Sequence, residues 1–438
     1  MQRSCEAAFS QVDITPDYPV QLIGRYRPDP SSGVLHRLYA QALLFRRGTE
    51  LFCLVTIDSL GLTVPLANGI RSQIAALLGT TVPHVMLNFS HTHSAPEPTP
   101  FSLNGERYYN FLCDQITSCV QNAKDNFRAC KIGWALTTAI IGANRRKGGA
   151  ALDNRVGALM VTEADSEKQI ALMVRIAAHP NILPTENLRI SGDFIAVARE
   201  ALQRSYGPTV LFLQGAAGNI KAAGTNEIGE GSDEVLRAVA DELVHCVKRL
   251  RFTPQDVASI QMFSTHIGCV SDVPTKEKAA QTAGDNPSED GQNWIRACLA
   301  LRESGIKTQR TQVEINFLRL NEGCVCGVAD ELFCESALDA WERTQNPLFF
   351  LNGYTNGCTG YLPSRIEWHK GGYEVVDSYF AFHAYSGRVA PYRADTADRI
   401  VDAVVAEYQE RITAQDIPQI HAIDRSHMQK NIDNHHNP

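Results

Sequence analysis

The sequence predicts an α/β protein whose working loops leave the ends of buried strands, and three observations carry that expectation. The first sixty residues hold three strand-like runs, at 7–13, 38–45 and 51–57. After them Leu66, Ile70, Ile74 and Leu77 recur at helical spacing, so residues 64–79 form an amphipathic helix returning to an apolar run at 84–89. That run and a later one, at 170–177, both give way to histidine: His91 and His93 after the first, His179 after the second. Strand–helix–strand order favours a sheet with its chemistry at strand ends.

Composition narrows the class. A chain of 438 residues makes one large domain or two of ordinary size. Its 41 Lys and Arg against 48 Asp and Glu leave a formal net charge of −7, and no basic block stands out. Nucleic acid is therefore not an expected partner. No apolar run approaches the roughly 20 residues of a membrane span. The opening Met-Gln-Arg-Ser-Cys lacks a long apolar segment, so no secretory signal is read there and a cytoplasmic location is expected. The twelve cysteines agree, because Cys53, Cys113, Cys119 and Cys246 lie in apolar patterns as buried thiols do. Strand alternation explains Cys324 and Cys326, and no second pair completes a zinc ribbon. The expected partner is a small-molecule substrate, and the oligomeric state is left open.

Arg46-Arg47-Gly48 is the turn between the second and third strands. A second helix covers about 104–126, followed by a strand near 131–141 and the polar loop 144–149. Strands at 156–161 and 170–177 lead to His179-Pro180, where proline disfavours helical geometry at the histidine. Ser191-Gly192-Asp193 precedes a helix to about Tyr206. Residues 210–213 form a buried strand opening into Gln214-Gly215-Ala216-Ala217-Gly218-Asn219, small residues that let backbone approach a ligand. Ser232-Asp233 caps a helix to about Lys248. The polar stretch 271–310 reads as a helical insertion or lid. Strands at 311–320 and 324–328 follow, Glu331 opens a helix to about Arg343, and a strand at 348–351 leads to Asn356-Gly357-Cys358-Thr359-Gly360-Tyr361. From about Ala414 the chain thins into a polar tail containing His435-His436. No internal repeat is found.

Alternation along an extended backbone points residues i and i+2 to one side, so His91 and His93 are expected to face one cavity. Imidazole is the commonest biological metal ligand, which makes His-x-His at a strand end one half of a metal site.

Four blocks match one family in the same order: Ser90-His91-Thr92-His93-Ser94-Ala95-Pro96; Ala178-His179-Pro180 with Ser191-Gly192-Asp193; Leu213 through Asn219; and Asp330-Glu331 with Asn356 through Ser364. On these blocks the chain resembles the catalytic domain of neutral ceramidases, zinc amidases that hydrolyse N-acyl sphingosine, and more closely the shorter bacterial proteins sharing that domain. The resemblance spans most of residues 8–390. It implies mixed β-sheets packed together and flanked by helices, in a single catalytic domain over 1–413; as departures from the family, neither its secretion signal nor its C-terminal immunoglobulin-like domain is expected here.

Carried over by position, the resemblance makes His91 and His179 zinc ligands, Glu331 the carboxylate ligand and Tyr361 the tyrosine ligand. Two imidazoles and a carboxylate also suit a catalytic zinc, which keeps a place for water. The phenol is the odd member, since it ionises near pKa 10, and it is read as a ligand able to move. His93 falls at the scissile amide oxygen or on the proton path, and Arg145 matches an active-site arginine. The family carries a serine credited with attack in the loop after its Gly-Asn pair. Here that loop reads Gly218-Asn219-Ile220-Lys221-Ala222, with lysine in the serine position.

The expected function is zinc-dependent hydrolysis of a linear amide of a small polar or anionic metabolite by metal-activated water. Lys221 is expected near the leaving group or on a substrate carboxylate, Arg145 as a second anion anchor, and Gly218 and Asn219 along the substrate. Rival expectations are a lipid amidase, a non-catalytic homologue, or amide formation in biosynthesis. Each residue also has a plain structural alternative: His179 bonded to backbone, Glu331 at a helix N-terminus, Tyr361 in the core, Lys221 solvated. Arg146 and Lys147 are expected in solvent, and Asp193 either orients a ligand histidine or caps a helix.

Overall fold

Strands Tyr39–Arg47 and Glu50–Ile57 form an antiparallel hairpin around Gly48, whose φ of 63° suits a residue without a Cβ. In the computed structural model, which describes residues 5–285 and 287–411, this hairpin lies in a nine-stranded sheet. From one edge the order is Val210–Gln214, Gln169–Ile176, Arg155–Glu163, Arg128–Thr138, Glu6–Asp13, Tyr39–Arg47, Glu50–Ile57 and Val85–Phe89. Gln255–Asp256 adds to Arg128–Thr138. Two pairings are parallel, as strand–helix–strand order requires. Helix Val64–Leu78 connects Glu50–Ile57 to Val85–Phe89, and helix Asp193–Tyr206 follows Gln169–Ile176 before Val210–Gln214. The first of these helices stops at Gly79, which takes the left-handed conformation common just past helix ends.

Alternating side chains send each strand of this sheet into two cores. Ala42, Leu44 and Val55 pack beneath helices through Ile70, Ile74, Leu112 and Ile116. Leu43, Phe45 and Leu54 face the other way, onto Met262, Leu318, Val325 and Phe350 of a second sheet. That sheet has the order Ile260–Asp272, Thr308–Leu320, Gly323–Gly327, Phe349–Asn352. Helices Cys334–Thr344 and Thr396–Arg411 cover its outer face, so mixed sheets lie together between helical layers. Each fully buried aliphatic side chain contributes about 1.5–3 kcal/mol, and both sheets are buried on two faces.

The large sheet curls until its edges adjoin. Asn88 accepts from Gln214 N at 2.7 Å and donates to Gln214 O at 3.1 Å, tying one edge strand to the other. Gln41 Nε2 donates to Val210 O across the same gap. Strand ends far apart in the hydrogen-bonded order, those releasing His91 and His179, are thereby brought together. A buried charge cluster joins the two sheets at the same level. Asp153 accepts from Arg155 at 2.8 and 3.0 Å and lies 2.8 Å from Arg175 Nη1, while Arg175 Nε donates to Asn352 Oδ1 at 3.1 Å.

Several expectations change. Glu331 does not open a helix: it lies on the two-residue strand Glu331–Leu332, paired in parallel with Tyr361–Leu362, and the helix starts at Cys334. Glu331 N donates to Gly360 O and Phe333 N to Leu362 O, which holds the segment extended. Arg146 is not solvated. Its side chain is only 8% exposed and meets Glu367 at 3.0 Å and Glu374 at 2.7 Å, because the segment 365–377 folds back over loop 144–149. The stretch 271–310 holds helices Lys276–Ala283 and Glu289–Glu303 between two long strands, the first of which, Ile260–Asp272, the sequence reading misses. Trp294 of this hairpin packs on Tyr379 and Val389. All twelve cysteines are free thiols and most are buried. No described helix is long and apolar enough to cross a membrane. The polar tail with His435-His436 lies outside the described residues.

Candidate metal centre

The strand Val85–Phe89 ends as Ser90 N donates to Ile57 O and His91 N to Ser59 O. His91 then takes a left-handed φ of 65°, so simple strand alternation is not what aims its ring. The ring is aimed by Leu60 O, 2.6 Å from Nδ1. Behind Leu60, Asp58 is held by two bonds from Arg199, at 2.6 and 2.7 Å. His91 and His93 still converge, with ring centroids 5.2 Å apart, and His179 joins them at 4.9 and 5.7 Å. One ligand atom from each of these three histidines lies within 4.8 Å of the others, a group that can hold a metal ion.

The hydrogen positions follow from the partners. His179 Nδ1 lies 2.7 Å from Ala217 O, and His91 Nδ1 faces Leu60 O. A carbonyl only accepts, so both Nδ1 atoms carry the hydrogen, and a neutral ring then presents a bare lone pair at Nε2. Both Nε2 atoms point at one oxygen: Glu331 Oε2 is 3.2 Å from His91 and 3.1 Å from His179. Three electron-rich atoms facing one another in a buried site need a cation among them. Protonating both rings would put two more charges beside Arg145. Burial, with that arginine, pushes His179 down to about 4, toward the neutral ligand form. Burial opposes ionisation of Glu331, and it takes positive charge at the flanking imidazoles, or a cation in its place, to hold the carboxyl well below its ordinary range.

The spacing also fits. Ligands at about 2.0–2.2 Å around a tetrahedral zinc stand about 3.3–3.6 Å from one another, a little wider than the distances here. The donor set of His91, His179 and Glu331 is therefore compatible with a divalent ion.

His93 is half-buried, and both its ring nitrogens are buried without a partner among the described residues. Burial first, then His91, His179, Arg25 and Arg145, holds it well below the ordinary histidine value. Tyr361 turns its hydroxyl to Arg145, which donates at 3.0 Å. The same Arg145 nitrogen donates to Gly218 O at 2.7 Å, and Arg145 Nε lies 2.9 Å from Glu374. Tyr354, which the sequence reading leaves unassigned, is fully buried with its hydroxyl 3.4 Å from Glu331 Oε2 and its ring 4.5 Å from that of His91. Its only sequence signal is its place just past a strand end.

Other expected site residues bond to neighbouring loop and helix groups. Lys221 donates to Thr225 O at 2.9 Å and Asn226 O at 2.8 Å, so two of its three N–H groups hold a loop. Asn219 is buried, donating to Glu335 and accepting from Cys334 N, which fastens the helix after Glu331. Asp193 neither touches His179 nor precedes its helix: it is the first helical residue and accepts from Leu183 N at 2.9 Å, bracing the loop after His179. Burial pushes its carboxyl up to about 6.

Gly218 is required by close approach. A Cβ there would stand 2.2 Å from Glu331 O, in backbone that cannot yield cheaply. Gly218→Ala is expected to shift Glu331 and to weaken metal binding by about 10–100-fold, the range for groups supporting a ligand. Titration with a chelator-buffered metal series checks it.

No protein-family model matches the sequence, and no curated protein matches it in sequence. Solved structures do. Neutral ceramidase from Pseudomonas aeruginosa superposes with a TM-score of 0.69 at 15% identity, covering 97% of this chain and 76% of that one. A ceramidase complexed with C2 gives 0.68 at 15% identity, covering 96% and 77%. At that identity the likeness is one of fold. The chain thus has the ceramidase fold with a buried histidine group able to hold a metal ion, and the likeness read from four short blocks extends over nearly its whole length.

Proposed function

We propose that the protein is a zinc-dependent hydrolase cleaving a linear amide bond in a small polar or anionic metabolite. The observation that carries this is the convergence of two bare Nε2 atoms on one carboxylate oxygen, at 3.2 and 3.1 Å. His91, His179 and Glu331, with Tyr361 as a movable fourth contact, would hold the zinc ion, which when bound would supply Lewis acidity and bring the pKa of water from 15.7 to about 7.

The chain's own groups do the rest. His93, neutral and with free nitrogens, takes a proton from attacking water or holds the amide oxygen as charge develops. Arg145 keeps Tyr361 aimed and places positive charge beside the reacting carbonyl. Gly24 leaves room for the His93 ring, since a Cβ there would stand 2.7 Å from it. Lys221 acts by holding its loop. Lys221→Ala is expected to leave zinc content unchanged and to lower kcat/KM by less than about tenfold, roughly 1.4 kcal/mol. A larger loss with metal retained returns Lys221 to the chemistry.

A lipid amide is the second reading. Phe101 and Leu103, on the loop after His93, stand 93% and 49% exposed and offer apolar surface. Turnover of a fluorogenic long-chain ceramide above that of N-acyl amino acids decides for it.

Purified without chelator, the protein is expected to carry near one zinc per chain by plasma mass spectrometry. Chelation should abolish hydrolysis of an N-acyl amino acid panel, and zinc should restore it. Undiminished turnover with the metal gone sinks the proposal.

A further inference from the structure

Beside His93 the loop 22–27 buries two guanidiniums with too few partners. Ile23 N donates to Ala95 O and Leu22 bridges to Pro96, which fixes the loop along the histidine segment, with Gly24 against the His93 ring. Arg25 follows, its side chain only 10% exposed. Its Nη2 donates to Asn181 O at 2.8 Å and Ile228 O at 3.3 Å, and Nη1 lies 3.2 Å from Glu230 Oε1, but Nε is buried without a partner. Arg27 is 2% exposed and uses only Nε, on Asn187 O at 2.8 Å. Its Nη1 and Nη2 are both buried with no partner among the described residues.

Both positive charges therefore draw on Glu230, with Asp193 acting on Arg25 as well, and Arg27 forms no ion pair among the described residues. Glu230 is itself held by Thr185 N and Oγ1, at 3.1 and 3.0 Å. A buried cation lacking a counter-charge is unfavourable, and the Nη1/Nη2 edge of a guanidinium grips a carboxylate at two points. Arg25 also sits within electrostatic reach of the reacting groups, since its charge acts on His93 and on Arg145, and Arg27 lies within reach of Arg25.

We infer that Arg25 and Arg27 form an anion subsite beside His93 that takes a carboxylate on the substrate, so that N-acylated amino acids are preferred over neutral amides. This rests on the amide-hydrolase reading of the same site and names its substrate class.

The test compares N-acetylalanine with N-acetylalaninamide, which differ only in carboxylate against carboxamide, by calorimetry on the zinc-loaded protein. The wild type is expected to bind the acid at least about tenfold more tightly. Arg25→Gln and Arg27→Gln should each bring the two ligands within about twofold, with zinc content unchanged. Arg27→Gln removes a buried charge that forms no ion pair among the described residues and leaves both Nη atoms unbonded, so the folded state is expected to survive it. Arg25→Lys, which keeps charge without the fork, should recover part of the preference. A wild type that does not distinguish the ligands overturns the inference. So does a preference that survives in both glutamine variants, since the anion is then held elsewhere, as by the metal. Hydrolysis followed in parallel separates the two proposals. Arginine-dependent binding without any amide turnover keeps the subsite and removes the hydrolase reading; turnover indifferent to charge does the reverse.

Discussion

Glu331→Gln is expected to abolish metal binding and lower turnover at least about 10³-fold, roughly 4 kcal/mol of transition-state stabilisation, while leaving the fold intact. The reason lies in the hydrogen inventory. Oε2 of Glu331 meets two Nε2 atoms at 3.1 and 3.2 Å, and each of those imidazoles already gives its Nδ1 hydrogen to a backbone carbonyl. A glutamine NH₂ in that place has two hydrogens to donate, one to each lone pair. The metal-free variant therefore replaces a clash of acceptors with two good bonds, and its urea midpoint should match or exceed that of the metal-free wild type. If the cluster were instead a structural ion pair between a carboxylate and charged imidazoles, removing the carboxylate would strand buried charge and cost about 3–5 kcal/mol. Urea denaturation and metal analysis on the same preparation separate the two.

Asp153→Asn has the largest expected effect on stability. Asp153 is fully buried between Arg155 and Arg175, with Arg175 itself fully buried. Both arginines keep their charges when the carboxylate goes, and breaking a buried pair in this way costs about 3–5 kcal/mol. The damage should also reach the site. Arg175 lies one residue before the end of the strand that leads to His179 and ties it to Asn352, two residues before Tyr354. An unfolding free energy from urea denaturation within about 1 kcal/mol of wild type would show that the cluster does not hold the two sheets together.

Much of this was legible in the chain because local pattern and tertiary structure agree. The hairpin at Gly48, the helix from Val64 and the strand before His91 all follow from periodicity and turn residues. The convergence of His91 and His179 was not derivable that way. It depends on the sheet curling until Asn88 reaches Gln214, a contact between residues 126 apart. Glu331 looked like a helix-start carboxylate because an apolar helical pattern follows it; pairing with Tyr361 holds it in a strand instead. Lys221 looked like a site residue because it stands at the family's serine position, and Asn219 because it ends a run of small residues; in the fold two N–H groups of Lys221 hold a loop and Asn219 bonds to the helix after Glu331. The reverse holds for Arg25 and Arg27. They lie between two strand-like runs in a stretch with no marked pattern, and only the burial of their unpartnered nitrogens singles them out.

Anomalous diffraction from crystals of active protein, collected on either side of the zinc edge, tests the centre most directly. A single peak is expected about 2.0–2.2 Å from Nε2 of His91, Nε2 of His179 and Oε2 of Glu331. No peak there, with the carboxylate bonded straight to both imidazoles in a preparation that still turns over substrate, would contradict it.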